Sequence, residues 1–283
     1  MLTQIVSNKL HLSIAKSIIL PNNLTSRMLD KIKEENILFI DIETVGQSPS
    51  YDQLNERAKD LWAKKMSWSM EKENKTPEEL YEKAGIWAEF GKIVCISAGF
   101  ITTEDGERHF RVKSFCGSNE KMLLSAFAAM LNKHYNKDKY MLCAHNGKEF
   151  DFPYICRRLL INGLPIPKIL DCSGKKPWET NNLDTMELWR FGDYKHYTSL
   201  DLLANIFNLP SPKENMNGSM VGKAYWEDGN IDSISEYCIN DVVTICQLFL
   251  RYKGLPIITE TNVDIIEPFL ANDSDDNSEN DGQ

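Results

Sequence analysis

Apolar residues gather into short unbroken runs in some stretches of the chain and recur at helical spacing in others. Ile37-Leu38-Phe39-Ile40 is an unbroken run, the pattern of a central strand buried on both faces. Residues 52–90 are rich in Glu, Lys, Ala, Leu and Trp, and Thr76-Pro77-Glu78-Glu79 reads as a helix start. Helical material inserted after the first strand is therefore expected. Residues 92–102 and 107–115 are strand-like and flank Asp105-Gly106, a strong hairpin signal. Residues 120–134 predict a helix, 140–144 another buried strand, 152–161 the helix after it, and 233–252 a long amphipathic helix. This order predicts an α/β sheet with helices on both faces. The order alone names no function.

Composition narrows the setting. The 283 residues are 42% hydrophobic and 26% charged, which excludes disorder over most of the chain. No window approaches the roughly 18 unbroken apolar residues of a membrane span. Residues 10–20 are apolar but are broken by Lys16 and lack a small-residue cleavage site, so they read as neither signal peptide nor anchor. The seven cysteines form no C-x-x-C pair, and several sit in apolar runs. Buried small hydrophobes in a reducing, cytoplasmic setting account for them better than disulfides or zinc.

A net charge of -9 looks wrong for a nucleic-acid binder until its distribution is read. Residues 260–283 hold eight acids and no base; the rest holds 33 acids against 32 bases. A nearly neutral body can still carry a basic groove. From Asn272 the chain is Asp/Asn/Ser-rich and is expected to be disordered.

Three places put acids where a core does not normally hold them. Asp41-Ile42-Glu43 follows the first buried run, and strand alternation points both carboxylates to one face. Asp151 closes Asn146-Gly147-Lys148-Glu149-Phe150-Asp151 at a strand-to-helix turn, where ligand sites gather in α/β sheets. Asp241 falls inside the apolar arc formed by Ile234, Tyr237, Cys238, Val242, Ile245, Leu248 and Phe249. Each has a plainer reading: a strand end reaching solvent, a helix N-cap at Asp151, a structural ion pair at Asp241. Taken together, four acids on a strand, a turn and a helix suit hard cations such as Mg²⁺ or Mn²⁺. The five histidines are scattered and, with the cysteines, offer no zinc set.

This ordered set resembles the DEDD superfamily of 3′–5′ exonucleases. The first motif matches as Phe39-Ile40-Asp41-Ile42-Glu43-Thr44, the second as Asn146, Phe150 and Asp151, the third as Tyr237 and Asp241. The tyrosine places the resemblance in the branch of B-family polymerase proofreading domains and RNase D. The histidine branch has His five residues before the last acid, where this chain has Glu236. Ala144-His145-Asn146-Gly147-Lys148, Leu183-Asp184-Thr185, Ser199-Leu200-Asp201 and residues 218–226 are similar to stand-alone exonucleases related to the polymerase-B exonuclease domain.

The resemblance covers about residues 30–257. It implies a ribonuclease-H-like fold, a mixed five-stranded sheet flanked by helices, with Asp41 and Glu43 on the central first strand. Residues 1–27 would be an N-terminal extension, 28–258 the exonuclease domain and 259–283 an acidic, disordered tail.

The resemblance also implies a centre of two Mg²⁺ or Mn²⁺ ions. Asp41 would bridge both, Glu43 and Asp241 would complete one site, and Asp151 would hold the second. Tyr237 would orient the attacking water, and Thr44, Asn146 and Phe150 would face the substrate. Phe150 fits core packing as well as a wedge between terminal bases. Lys148, Arg157, Arg158 and Lys213 are candidate phosphate contacts that fit solvated surface charges equally well. The expected partner is nucleic acid, single-stranded DNA foremost and RNA as the alternative, with no membrane. An exoribonuclease would use the same acids, and a non-catalytic binding module would not need to keep them. No G-x-x-x-x-G-K-[ST] is present, which removes a phosphate-loop ATPase.

Overall fold

The structure is a computed structural model that describes residues 28–176, 179–193, 195, 197–209 and 216–272. Internal contacts divide the chain into residues 1–32 and 33–283. Of the first unit only 28–32 are described, with one 3-10 turn at Met28–Lys31. The apolar residues 10–20 and the segment beyond Asn272 lie outside the described residues, as does Lys213. No helix among the described residues is long and apolar enough to cross a membrane.

The second unit is built on one sheet. Strand β1 (Ile37–Gly46) is followed by helix α1 (Glu56–Glu73), then β2 (Gly91–Glu104) and β3 (Glu107–Gly117). Next come α2 (Glu120–His134), β4 (Met141–Ala144), α3 (Asp151–Ile161) and a two-residue strand β5 (Leu183–Asp184). Three short helices follow, α4 (Thr185–Arg190), α5 (Leu200–Ile206) and α6 (Val221–Trp226), then the long α7 (Ile231–Lys253) and β6 (Val263–Ala271). The strand order is β5-β4-β1-β2-β3-β6. The β1–β2 and β2–β3 pairs are antiparallel; β1–β4, β4–β5 and β3–β6 are parallel. This is the mixed, helix-flanked sheet expected of the ribonuclease-H-like class, with β1 inside it.

The expected strands over 37–40, 92–102, 107–115 and 140–144 and the helices over 120–134, 152–161 and 233–252 form where the residue patterns put them, within a few residues. At the β2–β3 hairpin Asp105 and Gly106 take φ of 50° and 84°, the left-handed pair that a tight two-residue turn needs. The helix start at Thr76 forms as a reciprocal cap, with Thr76 N donating to Glu79 and Glu79 N to Thr76 Oγ1. Turns and a 3-10 segment at Tyr81–Ile86 follow it rather than an α-helix.

Two corrections concern the far edge. Among the described residues the sheet has six strands, not five, and the sixth lies in the segment expected to be a disordered tail. Residues 263–271 combine Asp264 and Glu267 with Ile265, Ile266, Phe269 and Leu270. They pair along β3 as its parallel neighbour. The register shifts between Lys113 and Phe115, which leaves Glu267 and Pro268 opposite the single residue Ser114. Upstream, buried Gln247 holds the connection to α7, donating to Ile258 O at 2.6 Å and accepting from Ile258 N at 2.9 Å.

The two sheet faces are packed differently. Leu38, Ile40 and Ile42 face α2 and α3, against Leu124, Phe127, Phe152 and Ile155. Phe39 faces the other way, stacked edge-on with Phe249 of α7 at 5.7 Å and with Phe110 at 5.9 Å. Helix α7 touches β1, β2 and β3 on one side and α4, α5 and α6 on the other. That sandwich explains why its buried residues extend well beyond one arc, to Ser235, Ile239, Thr244, Cys246 and Gln247.

A buried ion pair locks the α2–α3 layer to the sheet. Glu120 accepts from Ile93 N at 2.7 Å, from Arg158 Nε at 2.8 Å and from Asn162 Nδ2 at 3.0 Å, while Arg158 also donates to Ala88 O at 2.8 Å. Arg158 is 3% exposed, so it is a structural group and not a phosphate contact. Arg157, its neighbour, is exposed.

Candidate active site

The acidic centre sits where β1, α3 and α7 meet. Asp41 and Glu43 both point to the α7 face, as alternation requires. Between Glu43 and Thr44 the β1–β2 register shifts, leaving Val94 as the extra residue on β2. The bulge therefore lies on β2, opposite the residues of β1 just beyond the two carboxylates, and bulges are common beside functional sites. The Thr44 hydroxyl donates to Gly85 O at 2.8 Å, tying β1 there to the segment before β2. Thr44 therefore braces the strand by its side chain.

The turn from β4 to α3 is held by a residue whose part the sequence reading did not assign. Asp184 caps α4, accepting from Met186 N at 2.9 Å, and it also accepts from Asn146 N at 2.9 Å and Lys148 N at 3.1 Å. One buried carboxylate thus stitches the turn to the next helix. Its signal was present in Leu183-Asp184-Thr185, a short polar cap before a helix. Asn146 is left-handed at φ 63°. A Cβ on Gly147 would sit 2.3 Å from that of Ala144, so no other residue fits without a shift. His145 is clamped from both ring nitrogens, to Thr185 Oγ1 and Thr198 O at 2.9 Å each. Lys148 pairs with Glu187 at 2.5 Å. Phe150 packs against the α2–α3 core and tilts on Tyr154 at 5.3 Å, which is its packing role.

Asp151 is not the N-cap of α3. It is the first helical residue, Phe150 takes the cap position, and no side chain caps this helix. The Asp151 carboxylate turns inward to the backbone N–H of Ile42 and of its own residue. It is 3% exposed. Burial pushes its pKa up to about 7, with Asp184 and Asp241 adding to the rise and the two N–H groups opposing it. Asp41 is pushed well above the carboxylate range by burial first, then by Cys238, Asp151, Glu43 and Asp241. Tyr237 bonds to Asp241 through its hydroxyl, and burial followed by the charges of Asp241, Glu43 and Asp41 raises its pKa far above the phenol's own. All four expected acids and the tyrosine therefore converge on one place. Cys238 joins them, its Sγ 3.4 Å from Asp41 O.

This donor set fits a hard divalent cation. Every neighbour that acts on Asp41 pushes it the same way, so the pocket holds an excess of negative potential that a cation would neutralise. Between the unfolded carboxylate pKa near 4 and the folded value of about 7, the folded protein holds a proton on Asp151 that the unfolded chain has lost. That stabilisation is present at low pH and is lost as pH rises through 7. The expected result is that metal-free protein melts higher at pH 5 than at pH 8 by more than Asp151→Asn does. Mn²⁺ should restore more stability at pH 8 than at pH 5. Thermal melts of both proteins in EDTA and in Mn²⁺ decide it; equal slopes would exclude the buried proton.

An acidic centre at the end of a central strand, closed by a helix that carries a tyrosine and an acid one turn apart, marks a class of nucleases. Residues 86–262 match the family described as predicted 3′–5′ exonucleases related to the exonuclease domain of PolB, and the chain belongs to that family. The matched span holds Asn146, Phe150, Asp151, Tyr237 and Asp241 but begins after β1. Asp41 and Glu43 join the set by geometry. Among solved structures, the chain is similar to the family B DNA polymerase of the hyperthermophilic archaeon Pyrobaculum calidifontis. The TM-score is 0.47 at 16% identity, over 77% of this chain and 24% of the polymerase. The chain thus corresponds to about a quarter of the polymerase's length.

Proposed function

We propose that this 3′–5′ exonuclease is metal-dependent and removes nucleotides from the 3′ ends of single-stranded DNA, with Asp41, Glu43, Asp151 and Asp241 as metal ligands. The observation that supports it most is the convergence of those buried acids, from three separate elements, around Asp41. Two Mg²⁺ or Mn²⁺ ions there would lower the pKa of the attacking water and neutralise the leaving 3′ oxygen. The chain's own part is to hold and orient. Asp41 and Glu43 are fixed by the β1–β2 ladder and its bulge, Asp151 by the turn that Asp184 stitches, Asp241 by the packing of α7. Tyr237 stays protonated and donates, so its role is to position water and not to remove a proton. Asn146 is the candidate contact to the terminal nucleotide.

The test is a time course on 3′-labelled and 5′-labelled DNA and RNA oligonucleotides in Mg²⁺, Mn²⁺ and EDTA. Mononucleotides released from 3′ ends of DNA only with metal support the reading. Faster cleavage of RNA moves the assignment to an exoribonuclease, and activity that persists in EDTA removes the metal mechanism. Tyr237→Phe keeps the ring and loses the hydroxyl. It should retain measurable activity about a hundredfold below wild type, the scale of one positioned hydrogen-bond donor; a loss as complete as that of Asp41→Ala would give the hydroxyl a larger role.

A further inference from the structure

Helix α1 precedes the span that matches the exonuclease family, and one of its faces is turned to solvent. Its buried side holds Trp62 and Met66 against Leu80, Tyr81 and Ala84, and Trp62 Nε1 donates to Pro77 O at 2.7 Å. The opposite side carries Arg57, Leu61, Lys64, Lys65, Trp68 and Lys72, all exposed. Spacings of three and four residues put them in one stripe. Asp60 and Glu71 lie along one margin of that stripe. Of the helix's bases, Lys59 pairs with Glu56 at 3.1 Å, whereas Arg57, Lys64, Lys65 and Lys72 form no ion pair among the described residues. Trp68 is 67% exposed at the centre of the stripe, with Lys72 Nζ 4.5 Å from its ring centre. Charge alone would keep this face in water and does not call for a large ring among the bases.

The stripe is anchored beside the carboxylates. Helix α1 packs on Leu80, Tyr81 and Ala84, and this segment is tied to the end of β1 through Gly85 O, which accepts from Thr44 Oγ1 and Tyr154 Oη at 2.8 Å each. Gln47 N adds a bond to Phe90 O at 2.8 Å. Thr44 directly follows Glu43, so the segment that carries α1 is fixed to the strand that carries two of the acids.

We propose that this face of α1 binds a single strand of nucleic acid upstream of the 3′ end that enters the acidic centre. Arg57, Lys64, Lys65 and Lys72 neutralise phosphates, and the Trp68 ring stacks on a base, the combination that holds single strands without reading their sequence. The stripe is about 22 Å long, which is about six nucleotides of a stacked strand. Charge complementarity favours this occupant, because the chain is acidic at -9 and this helix face is basic. The role rests on the nuclease reading above, since it adds the part of the chain that holds the substrate beyond the bond to be cut.

The test uses full-length protein and two measurements. Fluorescence anisotropy of a labelled strand of about 20 nucleotides in EDTA reads binding without hydrolysis. Steady-state hydrolysis of that strand and of a trinucleotide in Mn²⁺ reads kcat and KM. Trp68→Ala should weaken binding of the long strand and raise its KM by about fivefold or more, the effect of one lost stacking partner. Trp68→Phe, which keeps a ring, should recover most of that loss. Replacing Lys64 and Lys72 together by Ala should flatten the slope of log Kd against log salt by about 1.4, at about 0.7 for each phosphate contact. In every variant kcat should match wild type, as should KM for the trinucleotide, which is too short to lie along the stripe as well. Because the side chains are exposed, the variants should melt with wild type.

An unchanged Kd and KM for the long strand in Trp68→Ala and in the double variant overturns the proposal, as does a KM raised equally for both substrates. Binding to vesicles of anionic phospholipid that the variants lose, with strand binding kept, gives the face to a membrane surface instead. Wild type that cleaves neither DNA nor RNA ends removes the nuclease reading, and the anisotropy then still decides what the stripe binds.

Discussion

Asp41→Ala is expected to lower 3′–5′ hydrolysis by about a thousandfold or more, while the metal-free protein melts no lower than wild type. The loss follows from position, since one charge preorganised at a reacting centre is worth about that much and Asp41 stands at the middle of the set. The unchanged melting point follows from electrostatics. Burial, Cys238, Asp151, Glu43 and Asp241 all disfavour the Asp41 carboxylate, so removing it relieves repulsion in the apo state. Asp241→Ala should behave alike, because its charge raises Asp41, Asp151 and Tyr237 together. If Asp241 were instead half of a structural ion pair, losing it would cost about 3–5 kcal/mol. Single-turnover rates with Mn²⁺ and calorimetric melts in EDTA separate the two. Rates within tenfold of wild type would discard the site.

The opposite profile is expected of Arg158→Met. The variant should lose about 3–5 kcal/mol of stability, the usual cost of leaving one partner of a buried pair uncompensated. Glu120 would keep only its bonds from Ile93 N and Asn162, and Ala88 O would lose its donor. Urea denaturation measures the loss. At temperatures where the variant stays folded, KM for oligonucleotides should match wild type; a raised KM with unchanged stability would return Arg158 to the phosphate contacts.

Much of this fold could be read from short-range pattern. The run at Ile37–Ile40, the Asp105-Gly106 turn and the helix over residues 120–134 each carry their signal within a few neighbouring residues. The candidate acids were legible for a different reason: a carboxylate inside an apolar arc, as at Asp241, needs some compensation wherever it folds. What escaped depends on partners far along the chain. Arg158 and Arg157 look alike until Glu120, 38 residues away, takes one of them into the core. Asp184 reads as an ordinary cap until the turn at Asn146 is laid across it. Cys238 reads as one more buried hydrophobe until β1 brings Asp41 to its sulfur, 197 residues away. The strand over residues 263–271 escapes because Asp264, Glu267 and Pro268 break its alternation and only the distant β3 gives it a partner.

Those same acids acquire another purpose once β6 is placed at the border of the sheet. A border strand offers unpaired backbone groups to any other chain, and native proteins discourage that pairing with charge, proline and local irregularity. Strand β6 has all three. Asp264 and Glu267 lie along it, Pro268 lacks a backbone N–H to offer, and the irregularity opposite Ser114 interrupts a flat run. It needs them, because Ile265 and Leu270 are 63% and 45% exposed. A chain ending at residue 258 would bare the long, regular β3 in its place. Such a shortened protein, with every proposed ligand still present, should self-associate through its sheets, and its failing would be solubility before chemistry.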